Sequence, residues 1–164
     1  MNPEERESIR RKIEDVRRRI AEAAASAGRS GDITLIAVTK TIPHERIIEA
    51  IDAGITDLGE NRVQELTDKI GAVDREVNWH MIGHLQKNKV KYIIEKVKLI
   101  HSVDSEELCD EIQKRAERAG RIVDVLVQVN VSGEESKFGI PPERTEEFLR
   151  RVSEKSNIRV RGLM

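Results

Sequence analysis

Lys40 closes an almost unbroken apolar run, Ile33-Thr34-Leu35-Ile36-Ala37-Val38-Thr39-Lys40, and Thr41-Ile42-Pro43 after it reads as the entry to a helix. An amine at the carboxyl end of a buried parallel strand stands where α/β folds place their chemistry. In an apolar strand mouth a lysine loses its proton more easily than in water. A neutral amine condenses with an aldehyde. With a side-chain period of two, Lys40 shares a face with Val38 and Ile36, while Thr39 joins Ala37 and Leu35 on the other. If the first face lines a barrel interior, the amine points into its mouth. The plainer alternative is a strand-end lysine that extends to water or pairs with a carboxylate.

Three other segments carry polar groups at corresponding levels. Glu60-Asn61-Arg62 follows a short apolar run and Gly59. The Asn61 amide can hydrogen-bond a ring hydroxyl or fix a lysine without adding charge, or it can cap the next helix. Glu60 and Arg62 read as surface groups or supports. In Trp79-His80-Met81-Ile82-Gly83-His84, His80 shares a face with Asn78 and Ile82, so one imidazole can reach the mouth while Trp79 packs under helices. Two histidines four apart lack a third ligand at a recognisable spacing, so no metal site is expected. Gln128 to Gly139 forms a polar loop long enough to line the mouth, with Lys137 as a second, less protected amine.

The elements that must position these groups follow an alternating pattern. Asn2-Pro3-Glu4-Glu5 is a helix start, and Ile9, Ile13, Val16, Ile20, Ala24 and Ala27 keep helical spacing to Gly28. Short apolar runs then alternate with amphipathic segments, the pattern of βα units around a parallel sheet. The expected strands are 33–39, 55–59, 78–82, 97–103 and 123–129, with a sixth beginning at Ile158. Helices are expected from Pro43 to Ala53, from Asn61 or Arg62, around Val90, Ile93 and Ile94, from an Asp104 cap to Ala119, and after Pro141-Pro142. The fold class is therefore α/β: a partial (β/α)8 TIM barrel with an extra N-terminal helix, ending near strand 6. A closed barrel needs eight strands and about 250 residues.

Composition bounds the function classes. At 164 residues, 38% hydrophobic and net charge −1, the chain reads as one soluble domain over 1–164. Basic and acidic residues nearly balance at 29 and 30, so no overall field draws it to nucleic acid or anionic lipid. The basic run Gln86 to Lys91 has no interleaved aromatics for stacking on bases. The arginine-rich N-terminus has no apolar segment resembling a secretory signal or a membrane span, and a cytoplasmic location is expected. Cys109 is the single cysteine, agrees with a reducing compartment and reads as a small buried thiol. No GxxxxGK[ST] or GxGxxG loop is present, so nucleotide binding has no support.

Taken together, Ala37-Val38-Thr39-Lys40-Thr41, Leu58-Gly59-Glu60-Asn61, Trp79 to Lys89, Ser102-Val103-Asp104 and Gln128-Val129-Asn130-Val131-Ser132 to Lys137-Phe138-Gly139 resemble the pyridoxal phosphate homeostasis proteins. The likeness spans nearly the whole chain. That family resembles the barrel domain of alanine racemase. The resemblance implies pyridoxal 5'-phosphate as cofactor, held as a Schiff base on Lys40 without turnover, with Asn61 and His80 near its ring. It also implies cofactor buffering or delivery, with pyridoxal-phosphate-dependent apoenzymes as recipients and a monomer for the family. The family's later βα units, which carry a phosphate loop and an arginine strand end, have no counterpart in these residues. Two alternatives stay open. One is a racemase-like enzyme, for which Tyr92 is the single tyrosine; the other is a truncated fragment with little cofactor binding and a tendency to self-associate.

Overall fold

A computed structural model describes residues 3–134 and 136–164, with side chains from Glu7 onward. The capping role expected of Asn2 lies outside the described residues. The order is α1 (Pro3–Ser26), β1 (Ile36–Val38), α2 (His44–Asp52), β2 (Asp57–Glu60), α3 (Val63–Ala72), β3 (Asn78–Met81), α4 (Val90–Ile93), β4 (Val97–Val103), α5 (Glu106–Arg118), β5 (Val123–Val127), α6 (Thr145–Ser153) and β6 (Ile158–Leu163). The strands form one parallel six-stranded sheet in the order β1-β2-β3-β4-β5-β6. The partial barrel expected from the alternating runs is the observed architecture.

Helices cover one face of the sheet because successive side chains alternate. Leu58, Met81, Ile100 and Val125, one from each of β2 to β5, are fully buried, and truncating any of them to alanine carries the usual core penalty of about 2–5 kcal/mol. The other face begins with Ile36, Gly59 and Ile82. A Cβ added to Gly59 would lie 3.1 Å from Ile36 Cγ2 and from Ile82 Cδ1, so these three residues meet on that inner face. The central strands are the best buried. Edge strand β1 is only half-buried, and Val38 is 51% exposed. The α1 stripe reaches the helix face beside Leu35, Ala37, Ala50 and Ile55, and leaves an apolar groove of about 270 Å³. Arg17 fastens that helix by donating to the Gly54 carbonyl at 2.6 Å.

Several boundaries differ from the sequence expectation. The first strand begins at Ile36 rather than Ile33, since its pairing to β2 starts at Ile36 opposite Asp57. It ends at Val38, and Lys40 stands in a turn rather than in the strand. The helix after β4 is capped by Ser105, not Asp104: Ser105 Oγ accepts from the Leu108 N–H at 3.4 Å. A cap side chain must reach the third helical N–H, and Asp104 lies one residue too early to do so. Asn61 does not cap α3 either, because the residue preceding the helix is Arg62, which makes no side-chain cap. The fifth strand stops at Val127, and Val129 makes a separate bridge to Ile140.

Candidate functional site

The C-terminal rim of β1 and β2 gathers the groups singled out in the sequence. Val38 pairs with Gly59, and Gly59 with His80, so these three stand at one level. Thr39 continues the pairing by donating its N–H to the Gly59 carbonyl at 3.0 Å. The chain then turns: Ile42 N–H donates back to the Thr39 carbonyl at 3.0 Å, with Lys40 and Thr41 at the centre of the turn. Thr39 is buried toward α3, whereas Lys40 is exposed at the rim. Among the described residues no group pairs with the Lys40 amine. Asn61, two residues beyond Gly59, is half-buried, and its amide has no hydrogen-bond partner among them. Gly83 packs against the Asn61 backbone so closely that a Cβ would lie 2.4 Å from its carbonyl oxygen. An amine and an amide without hydrogen-bond partners among the described residues thus follow the ends of two paired strands, and Ile36 and Ile82 fill the space over Gly59 between them. This donor set suits a flat aldehyde-bearing ring, the amine for the carbonyl and the amide for a ring hydroxyl.

Of the two readings of Glu60, surface group or support, the structure excludes the first, because Glu60 is fully buried. Its Oε1 accepts from the Thr39 hydroxyl at 2.6 Å and from Lys69 Nζ at 2.7 Å, while Oε2 has no hydrogen-bond partner among the described residues. A buried carboxylate survives when paired and hydrogen-bonded, and Lys69, reaching across from α3, is the pairing cation.

His80 is 3% exposed and lies within a buried chain of polar groups. Its Nε2 is 2.9 Å from Asp57 Oδ1, and its Nδ1 is 2.9 Å from His101 Nε2. Lys98, at an irregularity in β4 register, donates to the same Asp57 oxygen at 3.1 Å. Burial alone would raise the Asp57 pKa, but hydrogen bonds from His80, Thr56, Lys98 and Asn78 hold it at about 2. Burial depresses His80 against the pull of Asp57, and burial with the neighbouring His80 depresses His101 to about 4. The consistent proton assignment is an ionised Asp57 accepting from His80 Nε2–H, with His80 Nδ1 accepting from His101 Nε2–H. Both ring nitrogens of His80 are thus engaged and the ring is buried, so the imidazole expected at the mouth is turned into this polar chain instead.

His84 belongs to a different cluster. Its ring stacks on Phe138 at 3.7 Å between centroids, and its Nδ1 lies 3.4 Å from Asp104 Oδ2. The loop after β5 thereby folds back toward β3. Lys137 in that loop is exposed and pairs with Glu134 at 2.6 Å. Burial pushes the Cys109 thiol up to about 12, an inert core position. Tyr92 is exposed on α4, with the Lys91 amine 4.9 Å from its ring centroid. Thr39, Thr41, Asp57, Glu65, Lys69 and His101 were not singled out in the sequence. Only the Glu65/Lys69 spacing, one helical turn with acid before base, was a readable signal.

Comparison with known proteins places this chain in a family. A sequence model of the alanine racemase N-terminal domain matches residues 12–164. The pyridoxal phosphate homeostasis protein of Aquifex aeolicus is 46% identical over 155 residues, which cover 93% of this chain and 68% of that protein. An unknown protein from Bifidobacterium adolescentis superposes with a TM-score of 0.90 at 36% identity, covering all of this chain and 71% of that one. PipY of Synechococcus elongatus, solved with pyridoxal phosphate bound, gives a TM-score of 0.74 at 32% identity over 87% of this chain and 67% of its own. The chain belongs to the pyridoxal phosphate homeostasis protein family, built on the alanine racemase N-terminal domain.

Proposed function

We propose that this member of the pyridoxal phosphate homeostasis family holds pyridoxal 5'-phosphate covalently on Lys40, for storage and delivery rather than turnover. The observation that carries the reading is the Lys40 amine, exposed at the end of β1 and unpaired among the described residues, with Asn61 at the end of the neighbouring β2. A PipY structure with the cofactor bound supports it from within the family. The cofactor supplies an aldehyde, whose carbonyl oxygen leaves as water when a neutral amine adds to the carbon. Lys40 gives up one ammonium proton to solvent and provides the nitrogen. Asn61 offers its amide to the ring hydroxyl. His80, buried with both nitrogens engaged, supports the strands beneath the site and offers the cofactor no hydrogen bond.

The absence of turnover is part of the proposal. Two-sided proton transfer needs an acid or base on the cofactor face opposite the lysine, and Tyr92 is exposed on α4 beside Lys89 and Lys91. Among the described residues no helix is long and apolar enough to cross a membrane; delivery to apoenzymes in the cytoplasm is the setting proposed. The test is direct. Pyridoxal phosphate is added, borohydride traps the product, and peptide masses locate it. The expected result is a visible absorbance band and a reduced adduct on the Lys40 peptide, both lost in Lys40→Ala. A wild-type chain with no adduct at Lys40 would refute the assignment.

A further inference from the structure

Thr41 has a φ of +62°, and it is the one positive-φ residue other than glycine among the described residues. A β-branched residue is sterically opposed to that region. Turns with a positive φ at their third residue ordinarily use glycine or asparagine there. Thr41 is held in place from two sides: its N–H donates to Glu65 Oε2 at 3.0 Å, and its hydroxyl donates to the Lys40 carbonyl at 2.6 Å.

The other flank of Lys40 is held by the same cluster. The Thr39 carbonyl accepts from Lys69 Nζ at 2.6 Å, and the Thr39 hydroxyl donates to Glu60 Oε1 at 2.6 Å. Lys69 joins the two acids, with Nζ 2.7 Å from Glu60 Oε1 and 3.2 Å from Glu65 Oε2. Glu65 and Lys69 are one turn apart on α3, so a rigid helix carries both. The Thr41 N–H first, and Lys69 second, hold the Glu65 carboxyl below the usual range. Strain that persists beside a reactive side chain is over-determined by its surroundings, and here the surroundings are three named groups.

We propose that Glu60, Lys69 and Glu65 are positioning residues that fix the Thr39-Lys40-Thr41 turn and so aim the Lys40 amine for imine formation. The inference rests on the reading of Lys40 given above. None of the three need touch the ligand. Each acts through the backbone on either side of the lysine, and a displacement of about 1 Å in a reacting group costs on the order of a hundredfold in rate.

The experiment measures the rate at which Lys40 becomes labelled by pyridoxal phosphate, by timed borohydride trapping and peptide mass, together with thermal unfolding. Glu65→Ala removes the acceptor of the Thr41 N–H and one partner of Lys69. Its Lys40 labelling is expected to slow about tenfold or more, while its unfolding midpoint stays well above the labelling temperature and labelling of the other lysines is unchanged. Glu65→Gln, whose amide oxygen can still accept from the Thr41 N–H, should restore most of the rate. Thr41→Gly keeps that N–H and suits the positive φ, so its Lys40 labelling is expected to stay within about twofold of the wild type. If Glu65→Ala labels Lys40 at the wild-type rate, the positioning role is overturned. If the wild-type chain takes no label at Lys40, the reading of the site itself fails first.

Discussion

One four-residue strand, Asp57-Leu58-Gly59-Glu60, carries a buried acid at each end, and the two acids lead opposite lives. Asp57 faces inward and draws hydrogen bonds from His80, Thr56 and Lys98, backed by neutral His101. Glu60 faces the helices, is tied to Lys69 and Thr39, and keeps one oxygen without a protein partner. The first cluster is saturated and neutral along its histidine arm. The second is a charge pair wedged against the backbone of the lysine turn. Burial of a carboxylate is thus not one situation: the number of donors it meets decides whether it serves mainly stability or holds neighbouring backbone in place.

That contrast can be broken by experiment. The largest effect is expected from Glu60→Ala, which removes the principal partner of Lys69, a side chain only 12% exposed. Breaking a buried pair from one side costs about 3–5 kcal/mol, and denaturant unfolding would read it. A loss below about 1 kcal/mol would mean that Glu65 alone satisfies the amine. Asp57→Asn should cost less, about 1–2 kcal/mol, since the amide oxygen still accepts from His80 and Lys98 is half in water. An equal loss in the two variants would erase the distinction between the clusters.

Acid sharpens the comparison. The two histidines have depressed folded pKa values, so as pH falls below about 6.5 the unfolded chain takes up protons that the folded chain refuses. Stability should fall with a slope of up to about 1.4 kcal/mol per pH unit for each histidine, until His101 charges near 4 in the folded chain. Asp57 then adds its own loss as pH drops from about 4 toward about 2, because its folded pKa is lowered. His101→Phe should flatten the upper part of this curve; an unchanged profile in urea unfolding would locate the titration elsewhere. The smallest effect concerns Thr41→Gly. Relief of about 1–2 kcal/mol of left-handed strain is offset by glycine's chain entropy of about 0.5–1 kcal/mol and by a lost hydroxyl bond worth about 1 kcal/mol. Net stability should change by less than about 0.5 kcal/mol, which denaturant unfolding checks.

Much of the architecture was legible because it is written in local periods. Each expected strand has an observed counterpart, and the 97–103 strand agrees to the residue. The errors lie at ends. Ile33 and Thr34 fit the apolar run but lie outside the β1–β2 ladder. Asp104 and Ser105 are both good caps by type, and only the start of α5 chooses between them. Glu60 could be a surface group or a support by sequence, since nothing in its neighbours announces a lysine nine residues on, folded back against it.

The sequence by itself determined the alternation of elements, the family likeness and the candidate amine, since hydrophobic period and residue order are properties of the chain read along its length. Tertiary structure alone decided that Lys40 stands in a strained turn rather than in a strand, that His80 is engaged on both nitrogens, and that Glu60, Lys69 and Glu65 converge beside the lysine. These depend on strand register and on which helix packs behind which strand. Contacts between residues distant in sequence form only once burial of the apolar faces has fixed the sheet.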